Sequence, residues 1–185
     1  MLDTLGAVLT ACLTVSPALG IDARQQHEMI AEAQRVWRLY EVTVREGEGE
    51  DCNRQLVVKS DAAALPEDMA PDSALGWVPF AAGRPRRVVF LRVSRASTLI
   101  ADIGAGTRPD AMNRWLVGKL LGRVLAHEIG HVLLNSAQHQ PRGLMRRQYH
   151  AVEVLQNASD HDMLDAGERA LLLAATRPET RFARP

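Results

Sequence analysis

Hydrophobic and polar positions change period several times along this chain. Residues 7–15 read as a buried strand rich in Val, Leu and Thr. Ser16-Pro17 breaks that run. Over residues 22–40 the period becomes helical, with Met29, Ala33, Val36, Trp37 and Tyr40 on one face and charges on the other. Asp22 is a natural N-cap. Short strands follow over residues 41–45 and 55–59, separated by a polar, acidic turn at 47–51. Residues 61–73 carry Pro66 and Pro71 and read as an irregular connection. Residues 74–80 suit an edge strand, because Pro79 cannot donate to a ladder. Residues 81–85 form a turn around Gly83. The clearest strand spans residues 87–93, where Val88, Val89, Phe90 and Leu91 predict burial on both faces. Residues 95–109, with Gly104 and Gly106, read as a loop.

The longest apolar pattern begins at Asp110 or Asn113. Leu116, Val117, Leu120, Leu121, Val124, Leu125, Ile129 and Val132 make this helix apolar on most sides, so it should be buried. Gly118 and Gly122 share a face that would admit another backbone. Asn135, just after Leu134, suits a left-handed helix stop. Residues 137–145 form a loop, and residues 146–156 allow a helix. A last helix, capped by Ser159 or Asp160, runs through Ala174 with Met163, Leu164, Leu171 and Leu172 inward. Residues 177–185 are a tail.

Composition narrows the picture. The length of 185 residues favours one domain with a proper core. The 22 basic and 22 acidic side chains cancel, which gives no argument for a nucleic-acid partner. No stretch is long enough for a transmembrane helix. Cys12 and Cys52 match no zinc spacing. Two free thiols are expected there, with a disulfide as the alternative. Residues 1–20 are either an N-terminal strand or a signal-like segment. Leu9-Thr10-Ala11-Cys12 resembles a lipoprotein box, but Asp3 stands where a signal peptide wants a base. A secreted or periplasmic setting is weighted over a cytoplasmic one. Residues 21–185 are expected to form a single domain and to act as a monomer.

Candidate chemistry lies inside the buried helix. Residues 125–134 read L-A-H-E-I-G-H-V-L-L. His127 and His131 stack on one face, one turn apart. Glu128 lies roughly 100° further round. This is the H-E-x-x-H pattern, in which two histidines hold Zn²⁺ and the glutamate acts as general base. Three ionisable groups on an apolar helix need partners, or they cost several kcal/mol. A catalytic zinc takes three protein ligands. His139 follows the helix stop and is the candidate for the third. Glu153 is its main rival, and His150, His161 and Asp160 are weaker ones. His27 belongs on the surface.

These residues resemble a metzincin-type zinc metallopeptidase, nearest the matrixin-like members. That family's motif is H-E-x-x-H-x-x-G-x-x-H followed by a methionine turn. His127, Glu128 and His131 match its first half, and Gly143-Leu144-Met145 looks like the turn. Leu134 stands at the family's glycine and Ala137 at its third histidine, so His139 comes two residues late. The resemblance implies a zincin-like α+β fold. A small twisted mixed sheet would pack on two helices, with H-E-x-x-H on the second, central one. A methionine turn and a C-terminal helix would follow. It further implies a substrate peptide paired along the edge strand at 74–80, with Met145 supporting the metal site by packing.

The expected function is a zinc-dependent metalloendopeptidase acting on peptides or proteins. Two alternatives stand beside it. One is a non-catalytic binding module of the same fold. The other is an intracellular regulatory metallopeptidase with Glu153 as third ligand.

Overall fold

The structure, a computed structural model, describes residues 9–65, 68, 70, 73–104, 108–147 and 163–176. Its frame is a five-stranded sheet. Strand β1 (Leu9–Val15) is flanked in parallel by β2 (Val42–Glu46) and β3 (Arg54–Ser60). Strand β7 (Val88–Leu91) continues the parallel set beside β3. The edge is β4 (Gly76–Trp77), antiparallel to β7, which gives the order β2-β1-β3-β7-β4. A separate hairpin joins β5 (Phe80–Ala81) to β6 (Arg84–Pro85). Ala82 and Gly83 at its tip have φ of 50° and 74°, the left-handed pair that a two-residue turn requires.

Four helices complete the described fold: α1 (Ala23–Trp37), α2 (Val93–Gly104), α3 (Asp110–Leu133) and α4 (Ala166–Thr176). Asp22 and Gln25 form a reciprocal capping box at the start of α1. Met29, Ala33, Val36 and Trp37 are buried as their spacing predicts. Among the described residues no helix is long and apolar enough to cross a membrane.

The sequence reading needs correcting at four points. Residues 95–109 are not one loop, because α2 fills their first part. Val93, Ala96, Ile100 and Ile103 recur at three and four, and Ala96 and Ile100 are fully buried. The H-E-x-x-H segment therefore lies on the third helix, not the second. The cysteines are not free thiols: Cys12 and Cys52 are joined in a disulfide. The connection 47–53 must pass β1 to reach β3, and β1 grips it. Gly47 N–H donates to Leu13 O at 3.0 Å and Asn53 N–H to Thr10 O at 3.0 Å. That contact brings the two cysteines together although they stand 40 residues apart. Finally, Leu164 and Leu172 are buried but Met163 and Leu171 are 37% and 52% exposed. Helix α4 starts at Ala166, where Asp165 and Glu168 cap one another. The proposed caps at Ser159 and Asp160, and most of the helix suggested for 146–156, fall outside the described residues.

Helices α1 and α3 pack at very short range. An added Cβ on Gly118 would lie 2.8 Å from Gln25 O, and one on Gly122 would lie 2.6 Å from Met29 O. Beside this contact Arg123 Nε donates to Glu32 Oε1 at 2.9 Å, and both side chains are 5% exposed. Burial pushes the Glu32 carboxyl up, but hydrogen bonds from Arg35 and Arg123 outweigh it and leave its pKa lowered.

Gly122→Ala should destabilise the protein by about 1–3 kcal/mol, the usual cost of overpacking. Urea denaturation checks this; a change within the noise would mean that the helices have room to part.

Candidate metal centre

The site is assembled where α3 ends. Its termination is a Schellman stop, with Asn135 in the left-handed region at φ 48°. Ser136 N–H donates to His131 O at 3.2 Å and Asn135 N–H to Val132 O at 3.4 Å. Leu134 remains right-handed, so the chain reverses one residue later than a glycine at that position would allow. After the reversal, the loop brings His139 back against the helix.

Three imidazoles meet there. One nitrogen from each of His127, His131 and His139 lies within 4.8 Å of the others. The His139 ring stacks on His127 with centroids 5.2 Å apart and meets His131 edge-on at 4.9 Å. His127 and His131 are buried, while His139 is on the exposed side.

Hydrogen bonds fix the two buried rings. His127 Nδ1 lies 2.7 Å from Leu144 O, and His131 Nδ1 lies 2.7 Å from Ser136 O. A carbonyl only accepts, so each Nδ1 carries the proton and donates. Each Nε2 is then the acceptor nitrogen of its ring. These two Nε2 atoms are 3.1 Å apart. Moving a proton onto one of them would leave a bare Nδ1 facing a carbonyl oxygen. Two acceptor nitrogens facing each other at that distance suit a shared cation. Nitrogens bound at the usual distance to one tetrahedral zinc sit about 3.3 Å apart, close to the separation found. Donor type, tautomer and spacing therefore fit zinc.

Burial keeps the rings neutral. Desolvation, then the charge of His131, lowers the His127 pKa to about 3. Desolvation likewise brings His131 down to about 4, and it lowers His139 as well. Glu128 is 4% exposed. Its burial pushes its pKa up to about 8, against the pull of a hydrogen bond from Val78 N–H. Val78 directly follows β4, so the sheet edge touches the carboxylate.

Supporting contacts lie behind the helix. Trp37 Nε1 donates to Ala126 O at 3.0 Å, one residue before His127. Met145 lies against Gly130, whose missing Cβ leaves room for the sulfur. The helical spacing predicts packing for Trp37, and the family resemblance implies it for Met145. Neither signal reveals Val78, Ser136 or Leu144, which act through their backbones and leave no side-chain signature. His27 is exposed on α1. Glu153, His150, Asp160 and His161 lie outside the described residues.

The fold has a solved counterpart. The crystal structure of archaemetzincin from Methanopyrus kandleri aligns with a TM-score of 0.50 and 16% identity. The alignment covers 94% of this chain and 98% of that one. The fold is metzincin-like. No protein-family model and no curated protein matches the sequence.

The pKa shifts set opposite pH trends in the metal-free protein. The folded-state values of His127 and His131 lie below the ordinary 6.5, so their contribution to stability is present above pH 6.5 and is lost as pH falls through about 4 and 3. Glu128 lies above its ordinary 4.5, so its contribution is present below pH 4.5 and is lost as pH rises through about 8. Urea midpoints of metal-free protein should fall on both sides, and Glu128→Gln should abolish the alkaline loss. An unchanged alkaline limb in that variant would refute the placement of Glu128.

Proposed function

We propose that this protein is a zinc-dependent metalloendopeptidase, with Zn²⁺ held by His127, His131 and His139 and with Glu128 as general base. One observation carries the reading. Two Nε2 lone pairs converge at 3.1 Å while both Nδ1 atoms are committed to carbonyls. Zinc bound there supplies a Lewis acid that polarises the scissile carbonyl and makes a water more acidic. Glu128 takes the proton from the attacking water and returns it to the leaving amine. Its place beside His127 supports this role, because a cation held by the neutral rings would favour the ionised carboxylate. Val78 N–H holds that carboxylate toward the sheet edge.

Other parts of the reading have their own support. The edge position of β4 supports an extended peptide paired by strand addition. The interval from His127 to Met145, with Met145 against Gly130, supports a matrixin-like build with a shifted third histidine. The substrate is a peptide or protein, and the enzyme acts as a monomer.

Zinc should bind at about one equivalent per chain. Glu128→Ala should retain the metal and lose peptide hydrolysis by at least about 100-fold. His139→Ala should weaken zinc binding far more than Glu153→Ala. The reverse order would transfer the third ligand to Glu153. Hydrolysis that survives Glu128→Ala would remove its role, and a zinc-loaded protein with no hydrolysis would favour the binding-module alternative.

The Cys12–Cys52 disulfide supports a secreted or periplasmic location, since such bonds persist in oxidising compartments. Alkylation of the protein taken from its native compartment should find neither thiol reactive; two reactive thiols would count against export.

A further inference from the structure

We propose that Phe80 is the specificity-determining side chain of this site. Its ring selects substrates with an apolar side chain beside the scissile bond. The proposal rests on the metallopeptidase reading above and names the substrate class of that same site.

The argument starts from the path of the chain after β4. Pairing with β7 covers only Gly76 and Trp77. Val78 then turns its N–H onto Glu128. Two residues later Phe80 presents its ring edge-on to His131, with centroids 6.2 Å apart and planes at 86°. One short stretch therefore touches the general base with its backbone and a zinc-facing imidazole with its side chain. A carbonyl brought to both Glu128 and the ring nitrogens would lie close to this stretch, and so to the aromatic ring it carries. The side chains flanking that carbonyl fall within its reach.

Phe80 suits the task in two further ways. It is half-buried, packed on the core along one side and open on the other. It also stands on a braced support: Arg86 N–H donates to Pro79 O at 2.8 Å, and Phe80 pairs with Pro85 across the hairpin. Beyond it the exposed tip carries only Ala81, Ala82 and Gly83, so the aromatic ring supplies the apolar surface at this part of the rim. Apolar selection of this kind is worth about 10–200-fold per methylene-sized contact.

The test uses the zinc-loaded full chain and two probes, acetohydroxamate and 3-phenylpropanohydroxamate, measured by calorimetry. The wild type should bind the phenyl-bearing probe at least about tenfold more tightly. Phe80→Ala should bring the two probes within about twofold of each other, with zinc affinity and acetohydroxamate binding unchanged. Phe80→Leu should keep most of the preference. A preference that survives Phe80→Ala overturns the proposal. So does a Phe80→Ala protein that loses zinc or acetohydroxamate binding, since the ring would then only prop His131. Wild-type protein that binds both probes as expected but cleaves no peptide would overturn the hydrolase reading and leave the contact standing. A chain that binds no zinc overturns both.

Discussion

Two hydrogen bonds from imidazole to backbone carbonyl govern this structure. The acceptors are Ser136 O, just past the end of α3, and Leu144 O, in the loop that follows. Each commits an Nδ1 proton and turns the opposite nitrogen toward the same point. Neither carbonyl belongs to the helix that carries the rings. The centre therefore forms only when the helix stop and the returning loop are both in place. Ser136 serves twice, because its N–H closes the stop on His131 O and its carbonyl then orients the ring of the same residue.

That precision needs a helix that does not move, and α3 is held from several directions. Glycines at 118 and 122 let the backbone of α1 come within touching distance. The Glu32–Arg123 pair fixes the register between the two helices. Buried ion pairs are weak sources of net stability, so this pair specifies alignment rather than strength. From below, Trp37 bonds the carbonyl before His127 and Met145 fills the space at Gly130. The same helix is thus packed by small residues on one face and by bulky ones beneath its histidines.

Much of this was legible in the sequence, and the reasons are specific. The period of α1, the unbroken apolar run of β7 and the glycines of α3 each report a local physical demand, and the structure meets it. Asn135 announced the reversal because few residues tolerate a left-handed backbone. Helix α2 is hard to see in the sequence because Gly104 and Gly106, residues typical of loops, stand at its end and beyond it and mask the spacing of Val93, Ala96, Ile100 and Ile103. The disulfide was hidden for another reason. Its partners meet only because a connection passes β1, and strand order leaves no trace in hydrophobic period. Glu32 looked like one charge among many on a polar face, and its partner in α3 stands 91 residues away. Backbone donors and acceptors such as Val78 and Leu144 cannot be seen in residue identity at all.

The bond between Cys12 and Cys52 turns the first part of the domain into a covalent ring. Helix α1 and strand β2 lie wholly within that ring. A protease that nicked the backbone anywhere inside it would cut the chain without separating the pieces. A single cleavage there leaves α1 tethered beside α3 until a reductant arrives.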